Sequence, residues 1–288
     1  MENLLATLQG FSSQFYFLGI EMLMALGLWV TLAAGQLSLA NAGFLIVGAY
    51  TAAIFSTRGV LAYPLDLLPA VGITALLGVI VGYPALRLRG VYLALATIGF
   101  GEVAREAARN LRITGGALGI FGVPPDAAHW HVYLALLVVA VLLWRLWRGR
   151  VGRAWRAIRE DEAAAAALGI DTTGYKVLAF TIGAAISGLA GGLLVHFVNI
   201  VTPSTAGFNE AVNYLAYAVV GGYTTVLGPM LGAALLYSLP EVLRPLQDFR
   251  LMTNGLLLVI AAVYLPRGLS DPALWAWARL RWRSPRDG

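Results

Sequence analysis

Residues 174–200 read GYKVLAFTIGAAISGLAGGLLVHFVNI. Lys176 is the only charged residue in that stretch and the only lysine in the chain. A membrane-spanning helix needs roughly 20 mostly apolar residues, and only a helix satisfies its own backbone over such a length in hydrocarbon. Gly183, Ser187 and Gly191 recur every four residues. Such a small-residue face lets helix backbones approach closely in lipid. The stretch therefore reads as a spanning helix that packs against other helices.

Similar blocks lie on both sides of it. The candidate spans are about 15–34, 37–57, 64–86, 91–110, 131–148, 174–200, 211–223, 228–243 and 251–266. The expected fold is all-α, a polytopic bundle of about eight to ten spans forming one transmembrane domain over 10–270. The blocks 211–223 and 228–243 are short, and they fit either full spans or half-helices around Gly221-Gly222. Composition agrees with a membrane chain. Of 288 residues, 59% are hydrophobic and 12% charged, about half the charge of a soluble domain. Cysteine is absent, which excludes disulfides and thiolate chemistry. Met1-Glu2-Asn3 lacks a basic leader region, so the first span is expected to act as the insertion signal.

Nearly all of the positive charge is arginine, and its placement predicts orientation. Arg145, Arg148, Arg150, Arg153, Arg156 and Arg159 crowd one loop, and Arg267, Arg279, Arg281, Arg283 and Arg286 crowd the C-terminal tail. Arg87 and Arg89 mark a third region on the same side by span count, so loop 145–173 and the C-terminus are expected in the cytoplasm. Arg105, Arg109 and Arg112 oppose this scheme. Glu102 and Glu106, each three residues before an arginine, can offset them on a helix. In the tail 271–288, Trp275, Trp277 and Trp282 alternate with arginines, as an anchor in the lipid headgroups would. Arginines beside apolar spans point to membrane lipid and not to nucleic acid.

The polar loop carries a helix of its own. Nothing from Ala154 to Leu168 breaks a helix by propensity, alanine dominates it, and Gly169 is placed to end it. A stiff, alanine-faced helix beside the membrane suits a partner's groove, and it equally suits a solvated connector. Within the spans, Glu102 is an intramembrane carboxylate, costly unless it is functional or paired with Arg105. Gln36, Ser38 and Asn41 follow the break at Gly35, and Thr114-Gly115-Gly116 lies in an outer loop. These polar groups fit a transport pathway or helix-to-helix hydrogen bonds. Gly99-Phe100-Gly101 lacks the third glycine of a dinucleotide fingerprint, and no phosphate-binding loop occurs. His129, His131 and His196 lack ligand spacing, so no metal or other cofactor is expected.

Several of these segments together resemble the LivM-like permease subunits of branched-chain amino-acid ATP-binding-cassette importers. They are Gly35 to Gly43, Gly82 to Glu102, Thr114-Gly115-Gly116, Gly152 to Gly169, Gly221-Gly222 with Leu227-Gly228-Pro229, and Leu265 to Leu269. The resemblance covers about residues 20–270. It departs at Ala40-Asn41, where the family usually has Gly-His, and at Tyr223-Thr224-Thr225. Relatives also carry urea or short amides. The resemblance implies that loop 150–170 is a cytoplasmic coupling segment, with Arg156, Arg159, Glu160, Glu162, Ala164 and Gly169 on its ATPase-docking helix. It further implies two nucleotide-binding ATPase subunits, a second homologous permease and a periplasmic substrate-binding protein, in a bacterial inner membrane. A stand-alone secondary transporter using Glu102, and a membrane-embedded enzyme using Glu102 with residues 36–41, are the alternatives from other classes.

Overall fold

The computed structural model describes residues 2–242, with side-chain environments for 13–238. The block 251–266, the arginine- and tryptophan-bearing tail and the match at 265–269 lie outside the described residues. The described chain is nearly all helix: α1 (Glu2–Ala33), α2 (Asn41–Thr57), α3 (Leu67–Ala85), α4 (Val91–Asn110), α5 (His129–Arg148), α6 (Arg150–Glu160), α7 (Glu162–Ala167), α8 (Thr172–Val198), α9 (Phe208–Gly221) and α10 (Leu227–Val242). A single two-stranded ladder, β1 (Ile120–Phe121) with β2 (Ile200–Val201), ties two loops together. Four helical stretches among the described residues are long and apolar enough to cross a membrane: Ser13–Ala33, Leu67–Ala85, His129–Arg148 and Thr172–Val198.

The opening stretch of the sequence becomes α8, which packs against α1, α2 and α3 at the centre of the molecule. Its small residues make that possible. A Cβ on Gly191 would overlap the Leu45 carbonyl oxygen and lie 2.8 Å from the Ala49 nitrogen of α2. A Cβ on Gly183 would lie 2.7 Å from the Gly27 carbonyl oxygen of α1. Without a hydrophobic effect between helices in lipid, such close backbone packing is what holds them. Gly191→Val is therefore expected to cost about 1–3 kcal/mol by overpacking. Gly72→Val, at an open position of α3, should stay within about 0.5 kcal/mol. Thermal unfolding in detergent compares the two, and equal midpoints would remove α8 from its central role.

The second block differs from its expected continuous span over 37–57. The chain leaves α1 at Ala33, takes Gly35 at φ +76°, runs non-helical through Ala40, and starts α2 only at Asn41. Non-helical backbone at membrane depth persists where its polar groups are satisfied inside protein. The Gln36 N–H donates to the Thr31 carbonyl, Leu39 N–H to Thr97 Oγ1 at 2.9 Å, and Ala40 N–H to Ser38 Oγ at 3.3 Å.

The loop helix also differs from expectation. It is two helices, α6 and α7, because Asp161 adopts extended backbone and its carboxylate accepts from the N–H groups of Ala163 and Ala164. An aspartate offers the backbone an alternative to continued helix, and here it starts a second one. Gly169 does end α7, at φ +83°, with Ile170 N–H returning to the Ala165 carbonyl, a left-handed C-terminal motif.

Candidate functional site

The proposed coupling residues divide by direction. Trp155 is fully buried, and its indole N–H donates to the Tyr175 carbonyl at 2.9 Å, which fixes α6 against the start of α8. On that inner side, Arg156 lies over the Trp147 ring at 4.7 Å and Arg159 over the Tyr223 ring at 4.6 Å. Glu162 bonds the buried Lys176 ammonium at 2.6 Å and lies 3.9 Å from Arg89. The outer side carries Glu160, Ala164, Leu168 and Gly169, all exposed. The Leu168 side chain is 81% exposed, a bare leucine at the tip of the segment.

The polar residues within the bundle fall in three places. Asn41 is buried and donates to Ser187 Oγ at 2.9 Å, and the Ser187 hydroxyl in turn donates to the Gly183 carbonyl. Ser38 is fully buried beside it in sequence. Gln36 is 2% exposed, yet neither its amide nitrogen nor its oxygen has a partner among the described residues. These three share the break between α1 and α2. Thr114 is buried in the opposite loop, with its hydroxyl donating toward the carbonyls of Ala108 and Leu111. Gly115 and Gly116 both take positive φ there. The structure does not bring this turn to the Gln36–Asn41 cluster.

Glu102 stands between the two. A Cβ on Gly43 would lie 2.9 Å from the Gly101 Cα, so α4 crosses α2 near that point. Asn41, two residues earlier, is level with Ser187 near the middle of α8. The carboxylate is thus at mid-depth of the bundle. It pairs with Arg105, and Glu106 pairs with Arg109, as the spacing predicts. The Glu102 and Arg105 side chains are nonetheless 41% and 36% exposed. Beside them, α2 and α4 enclose an apolar groove of about 320 Å³ lined by Ile46, Tyr50, Phe100, Val103 and Ala107.

Sequence reading singled out neither the Glu21 carboxylate nor the pairing of Asp66 with His196. Glu21 lies in α1 with its Oε2 buried and without a partner among the described residues; a carboxylate in an apolar block was the available signal. At the end of the bundle away from α6, Asp66 and His196 are both fully buried, with Oδ2 and Nε2 2.5 Å apart. The other ring nitrogen, Nδ1, faces the Pro124 carbonyl at 3.0 Å. Tyr63 packs on the imidazole at 4.8 Å. Burial, then the Asp66 carboxylate, push its phenol up to about 12. No signal in one sequence joins residues 66 and 196.

The family model described as branched-chain amino acid transport system / permease component matches residues 11–263. The high-affinity branched-chain amino acid transport system permease protein LivM of Salmonella typhimurium is 36% identical over 287 aligned residues, spanning 87% of this chain and 67% of the relative. LivM of Escherichia coli is 35% identical with the same coverage. LivH of Escherichia coli, a permease protein of the same named type of system, is 32% identical over 148 residues, 50% of this chain and 46% of that one. No solved structure matches the chain.

Proposed function

Since the chain belongs to the branched-chain amino-acid transport permease family, we propose that it forms half of the translocation pathway of an ATP-driven importer, beside a second, homologous permease. The observation that carries this is the Glu102–Arg105 pair. A charge at mid-depth costs about 2.5–3.5 kcal/mol or more against lipid, and this pair is half-exposed in the single chain. Its face of α4 therefore meets water or protein. By contrast, α3 and α5 turn Leu68, Leu76, Ile80, Leu134, Leu137 and Val141 outward, as lipid-facing helices do. The pathway runs along α4, past the break that holds Gln36, Ser38 and Asn41, toward the turn at Thr114, Gly115 and Gly116.

One of the two ATPases docks on the outer side of α6 and α7, where Glu160, Ala164, Leu168 and Gly169 present a small, partly apolar surface, and the other docks on the second permease. A periplasmic binding protein delivers substrate at the opposite end. In this reading α2, α4, α9, α10 and the block 251–266 complete the transmembrane domain. The membrane is the bacterial inner membrane, and loop 145–173 with the C-terminus faces the cytoplasm. Branched-chain amino acids are the proposed substrates, and urea or short amides the alternative.

Reconstitution tests this. Proteoliposomes holding both permeases and both ATPases, supplied with the binding protein, are expected to take up radiolabelled L-leucine only with ATP, and unlabelled urea should not compete. Glu102→Gln should leave the pH profile of uptake unchanged. Uptake by this chain alone under a pH gradient, lost in Glu102→Gln, would instead establish a secondary transporter.

A further inference from the structure

We propose that Arg159 is the positioning residue through which the loop helix α6 moves both helix interruptions of the bundle at once. The inference rests on α6 and α7 docking an ATPase, and it assigns Arg159 the inward half of that coupling.

Two contacts made by one residue carry it. Gly35, where α1 breaks, sits directly on the backbone of α6: a Cβ there would lie 3.1 Å from Arg159 Cα and 3.4 Å from its Cβ. The position also holds φ +76°, a backbone conformation that favours glycine. From the same Cα, the Arg159 side chain turns inward, 20% exposed against 79% for its neighbour Glu160. Its guanidinium covers the ring of Tyr223 in the turn 222–226 between α9 and α10. The Tyr223 carbonyl in turn accepts the Trp29 indole N–H at 3.1 Å, so that turn is anchored to α1. α9 is 14 residues long, about 21 Å, shorter than a hydrocarbon core of about 30 Å. The turn therefore lies where a helix pair is interrupted, as the segment 34–40 does.

The junction also has hydrogen bonds left unmade. Among the described residues, Arg159 Nη1 and both amide atoms of Gln36 are buried without partners. Buried polar groups are otherwise almost always paired, and their lack of partners here lowers the cost of leaving this arrangement for one that pairs them. A displacement of α6 by a docked ATPase would carry Gly35 through the backbone and the 222–226 turn through the guanidinium. The route from Gln36 to Asn41 would then shift together with α9 and α10.

The experiment uses the complete complex in proteoliposomes and reads L-leucine uptake per ATP hydrolysed, with co-purified ATPase as a separate measure. Arg159→Ala is expected to keep ATPase bound and hydrolysing while uptake per ATP falls about tenfold, within the range of a partly desolvated cation–π contact. Arg159→Lys should recover part of the loss. Tyr223→Leu should give a similar loss that does not add to that of Arg159→Ala, and Tyr223→Phe, which keeps the ring, should lose less. Wild-type uptake per ATP in Arg159→Ala, or full additivity of the two losses, would overturn the link. Failure of the unaltered chain to hold any ATPase would instead overturn the docking reading beneath it.

Discussion

His196→Leu is expected to destabilise the protein by about 3–5 kcal/mol, a large share of the 5–15 kcal/mol that a folded domain typically has. The cause is the carboxylate left behind. Asp66 is fully buried, and its Oδ1 already lacks a hydrogen-bond partner among the described residues. Oδ2 has the His196 ring, so losing that ring strands a buried acid. Asp66 opens α3 without capping it, since its side chain is turned to the histidine. The same imidazole reaches the Pro124 carbonyl. One ring thus fastens the loop before α3 and the loop before α5 to the end of α8. Asp66→Leu should cost less, because the remaining imidazole can be neutral. The double substitution should recover most of the loss of His196→Leu, since removing both partners of a buried pair is often near neutral. Unfolding midpoints in detergent, read as a double-mutant cycle, measure the coupling. Coupling within about 0.5 kcal/mol of zero would show that the pair does not fasten these loops.

That pair also shows where sequence reading ends. Hydropathy located α3, α4, α5 and α8 to within a few residues, because a run such as 174–200 has no other stable form in lipid, but it missed the start of α1, which begins at Glu2 and not near 15. It could not locate the start of α2. Leu37 to Ala40 is apolar or small, so it counted toward a span, yet Gly35 turns the chain and Thr97 on α4 takes the Leu39 N–H. A contact 58 residues away decides the local backbone. Asp161 is the reverse case: its capping side chain was visible, but summed alanine propensity hid it. The proposed coupling residues came from the resemblance, and their division into inner Arg156, Arg159 and Glu162 and outer Glu160, Ala164 and Gly169 was not legible. That division depends on Trp155 fixing the rotation of α6 against Tyr175. Glu102 was legible because a carboxylate in an apolar block is rare, and Glu21 carried the same signal.

The outer half of that set supports the second large prediction. Glu160→Lys combined with Gly169→Pro is expected to reduce ATP-dependent uptake by about a hundredfold while the protein stays inserted. Glu160 is exposed at the end of α6 with its carboxylate 3.6 Å from Arg159 Nη2, so reversing its charge acts on a bound partner and on Arg159 together. Misplacing like charges across an interface costs several kcal/mol, and each 1.4 kcal/mol is tenfold. Gly169 acts through shape. At φ +83° it cannot become proline, whose φ is held near −65°. Proline would also remove the N–H that bonds the Ala166 carbonyl. The end of α7 would open, and Leu168 with it. The inner contacts, Trp155 to Tyr175 and Glu162 to Lys176, hold α6 and α7 on α8 independently of both positions, so insertion should survive. Membrane-fraction yield checks insertion, co-purification checks the ATPase, and leucine uptake checks the outcome. Each single substitution should lower both ATPase retention and uptake. Full retention with uptake lost would place the fault inside the pathway. Full uptake in the double variant would mean that the ATPase docks elsewhere, leaving the loop as a connector whose arginines set orientation alone.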